Sequence, residues 1–286
     1  MVMGSIDGST VLLGVLGHHI SYTLSPKIHN LSAASLGKNA VYVPLCVAPE
    51  NLAGVLESFW HLGALGFNVT KPHKEKAASL VSGHKLKAVN TIYRGADGWL
   101  AASTDAKGLF SAVLRMGRAI ESFDSVVILG SGGVATCLFE HISLSGKAFP
   151  EIVVLRRSGA KDALLRGLLP RQQKVHFAEM TPENLQHYAS KGASENTLIL
   201  QATSAPTYGK LLEDFVPSIK DFKGSFVDLC YGVTSKLLTA CQKRGLPSQD
   251  GIAMLIEQAR LSQQYFWGES ASYELIEKTL RADINR

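Results

Sequence analysis

Asn68-Val69-Thr70-Lys71-Pro72-His73-Lys74 puts an ammonium group where a helix begins. Thr70 suits the end of a strand and Pro72 the first position of a helix, so Lys74 falls in the first turn. The helix dipole is positive there, which makes it a poor place for a cation. Two readings account for it. Lys74 is a solvated surface lysine, or it is a lysine of lowered pKa that gives and takes a proton near neutrality. Lys71 and His73 flank it, and a second cation pointing inward would depress Lys74 further. Ser103-Thr104-Asp105-x-x-Gly108 ends a strand and enters a helix. Asp105 is either the N-cap of that helix or the partner that orients the Lys74 ammonium. Asn90, in Ala88-Val89-Asn90-Thr91, adds an amide at a strand. Thr23-Leu24-Ser25-Pro26 sets two hydroxyls at a helix start, where they could hold a carboxylate. Plain N-capping by Ser25 is the alternative.

A second constellation lies downstream. Gly130-Ser131-Gly132-Gly133-Val134 follows an apolar run, Ser125–Leu129, and precedes a helical stretch. Glycines let backbone N–H groups approach a pyrophosphate, and the helix N-terminus favours its charge. The third position of the fingerprint is Ala135, small enough for close packing of helix on sheet. The alternative is a tight turn without a ligand. At the end of the next strand, NAD sites usually place a carboxylate for the ribose hydroxyls. Here the chain reads Leu155-Arg156-Arg157-Ser158 with Lys161 close behind, and no carboxylate before Asp162. Guanidiniums, a hydroxyl and an ammonium suit a 2′-phosphate, which favours NADP over NAD. A solvated basic loop is the competing reading.

The elements that must position these groups alternate strand and helix. Strands are expected at Val11–Leu16, Ala40–Val47, Gly66–Thr70, Lys87–Tyr93 and Trp99–Ser103, the last two around the turn Gly95–Gly98. Helices are expected from Ser25, over Asn51–Leu62 and from Pro72. That order predicts an α/β unit with a largely parallel sheet. Thr104–Met116 reads as a connecting helix. Strands at Ser125–Leu129, Glu151–Leu155, Thr197–Gln201 and Ser225–Leu229 then build a doubly wound nucleotide domain. The last ~45 residues are helical and pack back on the first domain in the simplest organisation. The expected split is 1–106 with 240–286 as one domain and 107–239 as an insertion.

Composition narrows the class. The 286 residues suggest about two domains. A hydrophobic content of 46% and a charged content of 19% exclude wholesale disorder. The net charge of +5 comes in no long run, so no nucleic-acid partner is indicated. Cys46, Cys137, Cys230 and Cys241 form no metal spacing, and no metal is expected. Val11–Leu16 falls far short of the ~20 residues of a membrane span. With no signal peptide read at the N-terminus, a cytoplasmic protein is expected.

The chain resembles the shikimate dehydrogenase family. The stretches that carry the likeness are Thr23 to Asn30, Gly66 to Lys74, Ala88 to Thr91, Ser103 to Asp105, and Asp250-Gly251-Ile252-Ala253-Met254-Leu255-Ile256-Glu257-Gln258-Ala259. The resemblance implies an N-terminal substrate domain completed by C-terminal helices, with an inserted Rossmann NADP-binding domain. It implies reversible, NADP-dependent reduction of 3-dehydroshikimate to shikimate in aromatic amino-acid biosynthesis, by a monomer or homodimer. By the same resemblance Lys74 and Asp105 are the catalytic pair, and Thr23 and Ser25 bind the substrate carboxylate. Thr70, Asn90 and Gln258 bond ring hydroxyls, and Tyr231 reaches the substrate from the nucleotide side. Gly130, Ser131, Gly132, Gly133, Val134, Arg156, Arg157, Ser158, Lys161, Thr203, Leu229, Gly251 and Met254 line the cofactor. Arg156-Arg157-Ser158 stands where the family commonly has Asn-Arg-Thr. Other departures are Gln201 for Asn in Gln201-Ala202-Thr203-Ser204, Ser103 for Asn, and a loop after Tyr231 that is one residue short and lacks its Pro. They bear on substrate range and nicotinamide placement. The alternatives are a paralogue acting on quinate or another cyclic hydroxy acid, and a non-catalytic NADP-binding sensor.

Overall fold

The structure, a computed structural model, describes residues 6–190 and 194–284. Residues 1–5 and 285–286, at the ends of the expected first domain, lie outside the described residues. By Cα proximity the chain divides into two compact units, Met1–Gly108 with Ile256–Arg286, and Leu109–Leu255.

The first unit is built on β1 (Val11–Gly17), β2 (Ala40–Cys46), β3 (Gly66–Val69), β4 (Thr91–Arg94) and β5 (Trp99–Ala102), in the order β2-β1-β3-β4-β5. Side chains alternate along β1. Leu13 and Val15 join Ile20, Tyr42 and Phe266 on one face. Leu16 and Leu12 join Leu52, Phe67 and Ile92 on the other. Helices α1 (Ser25–Ser35), α2 (Leu52–His61), α3 (Lys74–Leu80) and α10 (Tyr273–Ile284) belong to this unit. So do the first turn of α4 (Asp105–Arg115) and most of α9 (Ile252–Trp267).

The largely parallel sheet expected here is mixed instead. β2-β1-β3 is parallel, but β3-β4 and β4-β5 are antiparallel. The short turn at Gly95–Gly98 can only join antiparallel strands. The expected strand over Lys87–Tyr93 begins later, at Thr91. Asn90 precedes it, held by its backbone between Val69 and Ala102.

The second unit holds β6 (Ser125–Leu129), α5 (Gly133–Ser145), β7 (Glu151–Arg156), α6 (Asp162–Leu168), β8 (Val175–Glu179), α7 (Pro182–Ala189), β9 (Thr197–Gln201), β10 (Ser225–Asp228), α8 (Lys236–Lys243) and β11 (Ser248–Gln249). All pairings in its sheet are parallel, in the order β11-β10-β9-β6-β7-β8. The order reverses between β6 and β9, the topological switch point of a Rossmann sheet. β6, β7, β9 and β10 are the strands read from their Val, Ile, Leu and Phe runs. Their interior positions are fully buried, as a parallel sheet covered on both faces requires. The reading of the sequence returned the chain to the first domain at residue 240. The Cα partition places that return after Leu255, because β11 pairs with β10 and α8 packs Leu237, Leu238 and Cys241 into the second unit's core.

Candidate active site

In the first unit, Lys74 opens α3 and Asp105 opens α4. Lys74 Nζ lies 2.6 Å from Asp105 Oδ2, with side-chain exposures of 23% and 11%. Asn90 Nδ2 donates to Asp105 Oδ1 at 2.9 Å, so both carboxylate oxygens are engaged. The amide orientation of Asn90 is set from outside. Thr104 N–H donates to Asn90 Oδ1 at 2.8 Å, which turns Nδ2 toward Asp105, Thr104 Oγ1 and Gln258 Oε1. Gln258 comes close because α4 carries Gly108. A Cβ there would stand 2.8 Å from the backbone nitrogen of Gln258.

The lone-surface reading of Lys74 therefore fails. Neither neighbour supplies a second inward cation. Lys71 is exposed, and the His73 ring is buried with Nε2 donating to the Val47 carbonyl at 2.9 Å. Plain capping by Ser25 is also overturned. The N-cap of α1 is Leu24, with no side-chain cap bond. Ser25 is buried, and its hydroxyl lies 3.3 Å from that of Thr23. Thr70 follows β3, its methyl against Gly17, where any Cβ would be 2.6 Å away.

Behind these groups runs a buried polar chain that sequence reasoning missed. Tyr42 donates its hydroxyl to Asn68 Oδ1 at 2.9 Å, and Asn68 Nδ2 donates to Ser262 Oγ at 2.9 Å. Ser262 Oγ is also 2.9 Å from Thr91 Oγ1 and donates to the Gln258 carbonyl one turn back. The one signal in the sequence was the spacing of Gln258 and Ser262, which puts them on one helix face. His29 stacks on Tyr42 at 4.2 Å. Burial pushes its imidazole down to about 3.

In the second unit, Gly130 follows β6 at φ +111°, a conformation that favours glycine. Gly132 is the N-cap of α5. An added Cβ on Gly132 or Gly133 would meet nothing within 4 Å, so the space before the helix start is open. An open helix N-terminus of this kind fits a pyrophosphate. Gly251 is required sterically, since a Cβ would lie 2.5 Å from the Leu229 carbonyl oxygen. Met254 follows it in α9 and is buried. Tyr231 is half-buried in the loop after β10.

The family departure at Gln201 is absorbed locally. Its Oε1 accepts from Thr203 N–H at 2.7 Å and Oγ1 at 2.8 Å, while Nε2 donates to Asp228 Oδ1 at 3.3 Å. The ends of β9 and β10 are thereby tied. Burial raises the Asp228 carboxyl above its usual range. Arg156 departs from the expected cluster of three free cations. Its guanidinium is taken by Asp162, at 3.0 and 3.1 Å from Nε and 2.5 Å from Nη2. Arg157, Ser158 and Lys161 are exposed. Among the described residues no cluster of His, Cys, Asp or Glu is arranged to hold a metal. No helix of them is long and apolar enough to cross a membrane.

The chain is similar to known proteins along nearly its whole length. Residues 15–92 match the family model for the shikimate dehydrogenase substrate binding domain. The NADP(+) shikimate dehydrogenase of Magnetococcus marinus is 31% identical over 97% of this chain and 98% of its own. That of Hyphomonas neptunium is 34% identical over 91% and 92%. The chain belongs to the shikimate dehydrogenase family. Solved shikimate dehydrogenases share the fold along their whole length. The Aquifex aeolicus structure superposes with a TM-score of 0.81 at 25% identity, covering 97% of this chain and 100% of that one. A shikimate dehydrogenase in complex with NADP+ superposes with a TM-score of 0.84 at 24% identity, covering 99% and 98%.

Proposed function

We propose that this shikimate dehydrogenase family member is an NADP-dependent enzyme that interconverts 3-dehydroshikimate and shikimate, with Lys74 and Asp105 as its acid–base pair. The observation that carries the reading is the 2.6 Å bond between Lys74 Nζ and Asp105 Oδ2, braced by Asn90 on the other oxygen. The names of the full-length relatives support the substrate and the cofactor.

When bound, NADPH supplies a hydride to the ring ketone carbon. Lys74 donates its proton to the ketone oxygen as negative charge develops there, and takes a proton back from the alcohol in the reverse direction. Asp105 holds the ammonium in place and keeps it from swinging into solvent. Asn90 fixes the carboxylate and, with Thr70 and Gln258, bonds ring hydroxyls. Thr23 and Ser25 donate to the substrate carboxylate, and Tyr231 contributes from the nucleotide side. Anchoring both ends of a small rigid ring sets the ketone against the cofactor, a positioning effect. Gly130 to Val134 hold the pyrophosphate, Arg157, Ser158 and Lys161 the 2′-phosphate, and Thr203, Leu229, Gly251 and Met254 border the nicotinamide. We assign the enzyme to the cytoplasm, to aromatic amino-acid biosynthesis and to a monomeric or homodimeric state.

Steady-state rates with shikimate and quinate, each under NADP and NAD, test the assignment. The expected result is turnover with shikimate and NADP at a kcat/KM above that of the other three combinations. No turnover with any combination sinks it. A non-catalytic sensor would bind NADP tightly without reducing it. The intact Lys74–Asp105 pair opposes that reading.

A further inference from the structure

Arg156, the last residue of β7, stands in register with Glu179 of β8. Its planar fork is filled by Asp162, with Nε shared between the two oxygens and Nη2 on one of them. The paired side chains retain 19% and 26% exposure. They pack against Gly159 in the turn that follows. A Cβ on Gly159 would stand 3.2 Å from Asp162 Oδ2 and 3.5 Å from Arg156 Nη2. The Asp162 hydrogen bonds hold the guanidinium above its ordinary pKa, with Glu179 adding to the effect. In the same turn Ser158 Oγ accepts from Ala160 N–H, and Arg157 and Lys161 are exposed.

We infer that Asp162 is a specificity-determining residue, whose carboxylate engages Arg156 and tempers the preference for a 2′-phosphorylated dinucleotide. The inference rests on the nucleotide reading of this unit and deepens it. Arg156, Arg157 and Lys161 would together offer three positive charges to a phosphate. Asp162 and Glu179 reduce the local balance to a single positive charge. A 2′-phosphate approaching Arg157 and Lys161 meets a filled fork and a nearby carboxylate. A 2′-hydroxyl carries no charge, so it meets no repulsion from either carboxylate. The chain thus keeps enough positive charge to favour NADP and gives up part of the discrimination against NAD.

Calorimetric titration of the purified full-length protein with adenosine 2′,5′-bisphosphate and with 5′-AMP tests this without turnover. Asp162→Asn removes the carboxylate charge and frees the fork. It should tighten the bisphosphate about three- to fivefold, the range of an exposed charge pair, and leave 5′-AMP unchanged. The gain should shrink with added salt. Arg156→Gln leaves Asp162 unpaired beside the phosphate and should weaken the bisphosphate by a similar factor. Opposite signs in the two variants are the signature of the inference. A pair that merely braced the turn would weaken binding in both, and that outcome overturns it, as does an unchanged affinity in Asp162→Asn. If the wild-type protein binds neither nucleotide, the nucleotide reading itself falls and takes this inference with it. If it binds both nucleotides but the variants do not move, only the inference falls.

Discussion

Lys74 sits at the positive end of α3, and one contact makes that position workable. Asp105 is 2.6 Å away and is itself aimed by Asn90, whose amide is aimed by the Thr104 N–H. Each link has one possible direction of donation, so the ammonium is oriented before substrate arrives. Replacing it by Lys74→Ala should lower kcat by about 10²- to 10⁴-fold, the worth of a positioned acid–base group. The dissociation constant for shikimate, measured by titration, should change only a fewfold, because the hydroxyls and amides remain. A second residue gives a pH dependence. His29 is fully buried against Tyr42, neither ring nitrogen has a hydrogen-bond partner among the described residues, and burial lowers its pKa from 6.5 to about 3. The unfolded chain therefore takes up a proton on His29 that the folded one refuses. Stability is complete above pH 6.5 and is lost as pH falls toward about 3, by about 2 kcal/mol at pH 5. His29→Phe keeps the stack and removes the titration. Urea midpoints at pH 7 and pH 5 should lie closer together in the variant. An unchanged gap would remove His29 from the account of acid stability.

Helices α4 and α9 meet at Gly108, where backbone touches backbone. A methyl group there would press on Gln258 N and Cβ at 2.8 Å and on Cα at 3.0 Å. Backbone atoms cannot turn aside as a flexible side chain can. Gly108→Ala should therefore part the helices at a cost of about 1–3 kcal/mol and raise the KM for shikimate by carrying Gln258 off Asn90. Thermal midpoints and steady-state rates check the two halves of that claim, and a variant with wild-type KM would refute the second. The same elements show what was readable beforehand. Lys74 was legible because it broke a local rule, a cation at a positive helix end, and Asp105 and Asn90 because they were polar groups at the ends of neighbouring strands. The strands of the Rossmann sheet were legible because burial on both faces demands unbroken apolar runs. β8 was not, since an edge strand reading Val175-His176-Phe177-Ala178-Glu179 needs only one side of the sheet. Nor was the Tyr42–Asn68–Ser262 chain, whose members are ordinary polar residues until the fold joins positions nearly 200 residues apart. Arg156 misled for a different reason. Its charge was visible, but its commitment to Asp162 depends on the path of the turn between them.

At the scale of the whole molecule, the proposed function divides chemistry and cofactor recognition between two units with separate cores. Lys74, Asp105, Asn90 and Gln258 belong to Met1–Gly108 with Ile256–Arg286, whereas the glycine loop and the Arg157–Lys161 turn belong to Leu109–Leu255. Each unit has its own sheet and buries its own apolar residues. A ligand stabilises the folded state with the logarithm of its concentration, by about 2.7 kcal/mol at a hundred times its dissociation constant. Local opening in the element that holds the ligand feels that stabilisation most directly. Hydrogen exchange read by mass spectrometry should therefore give two footprints. NADP+ alone should slow exchange most over residues 130–136 and 156–162. Shikimate alone should slow it most over residues 23–29, 68–74 and 102–108. In Lys74→Ala the shikimate footprint should persist, because that variant removes the proposed proton donor and keeps the proposed anchoring groups. Strongest protection by shikimate within 109–255, or by NADP+ within 6–108, would show that the roles assigned to the two units are wrong.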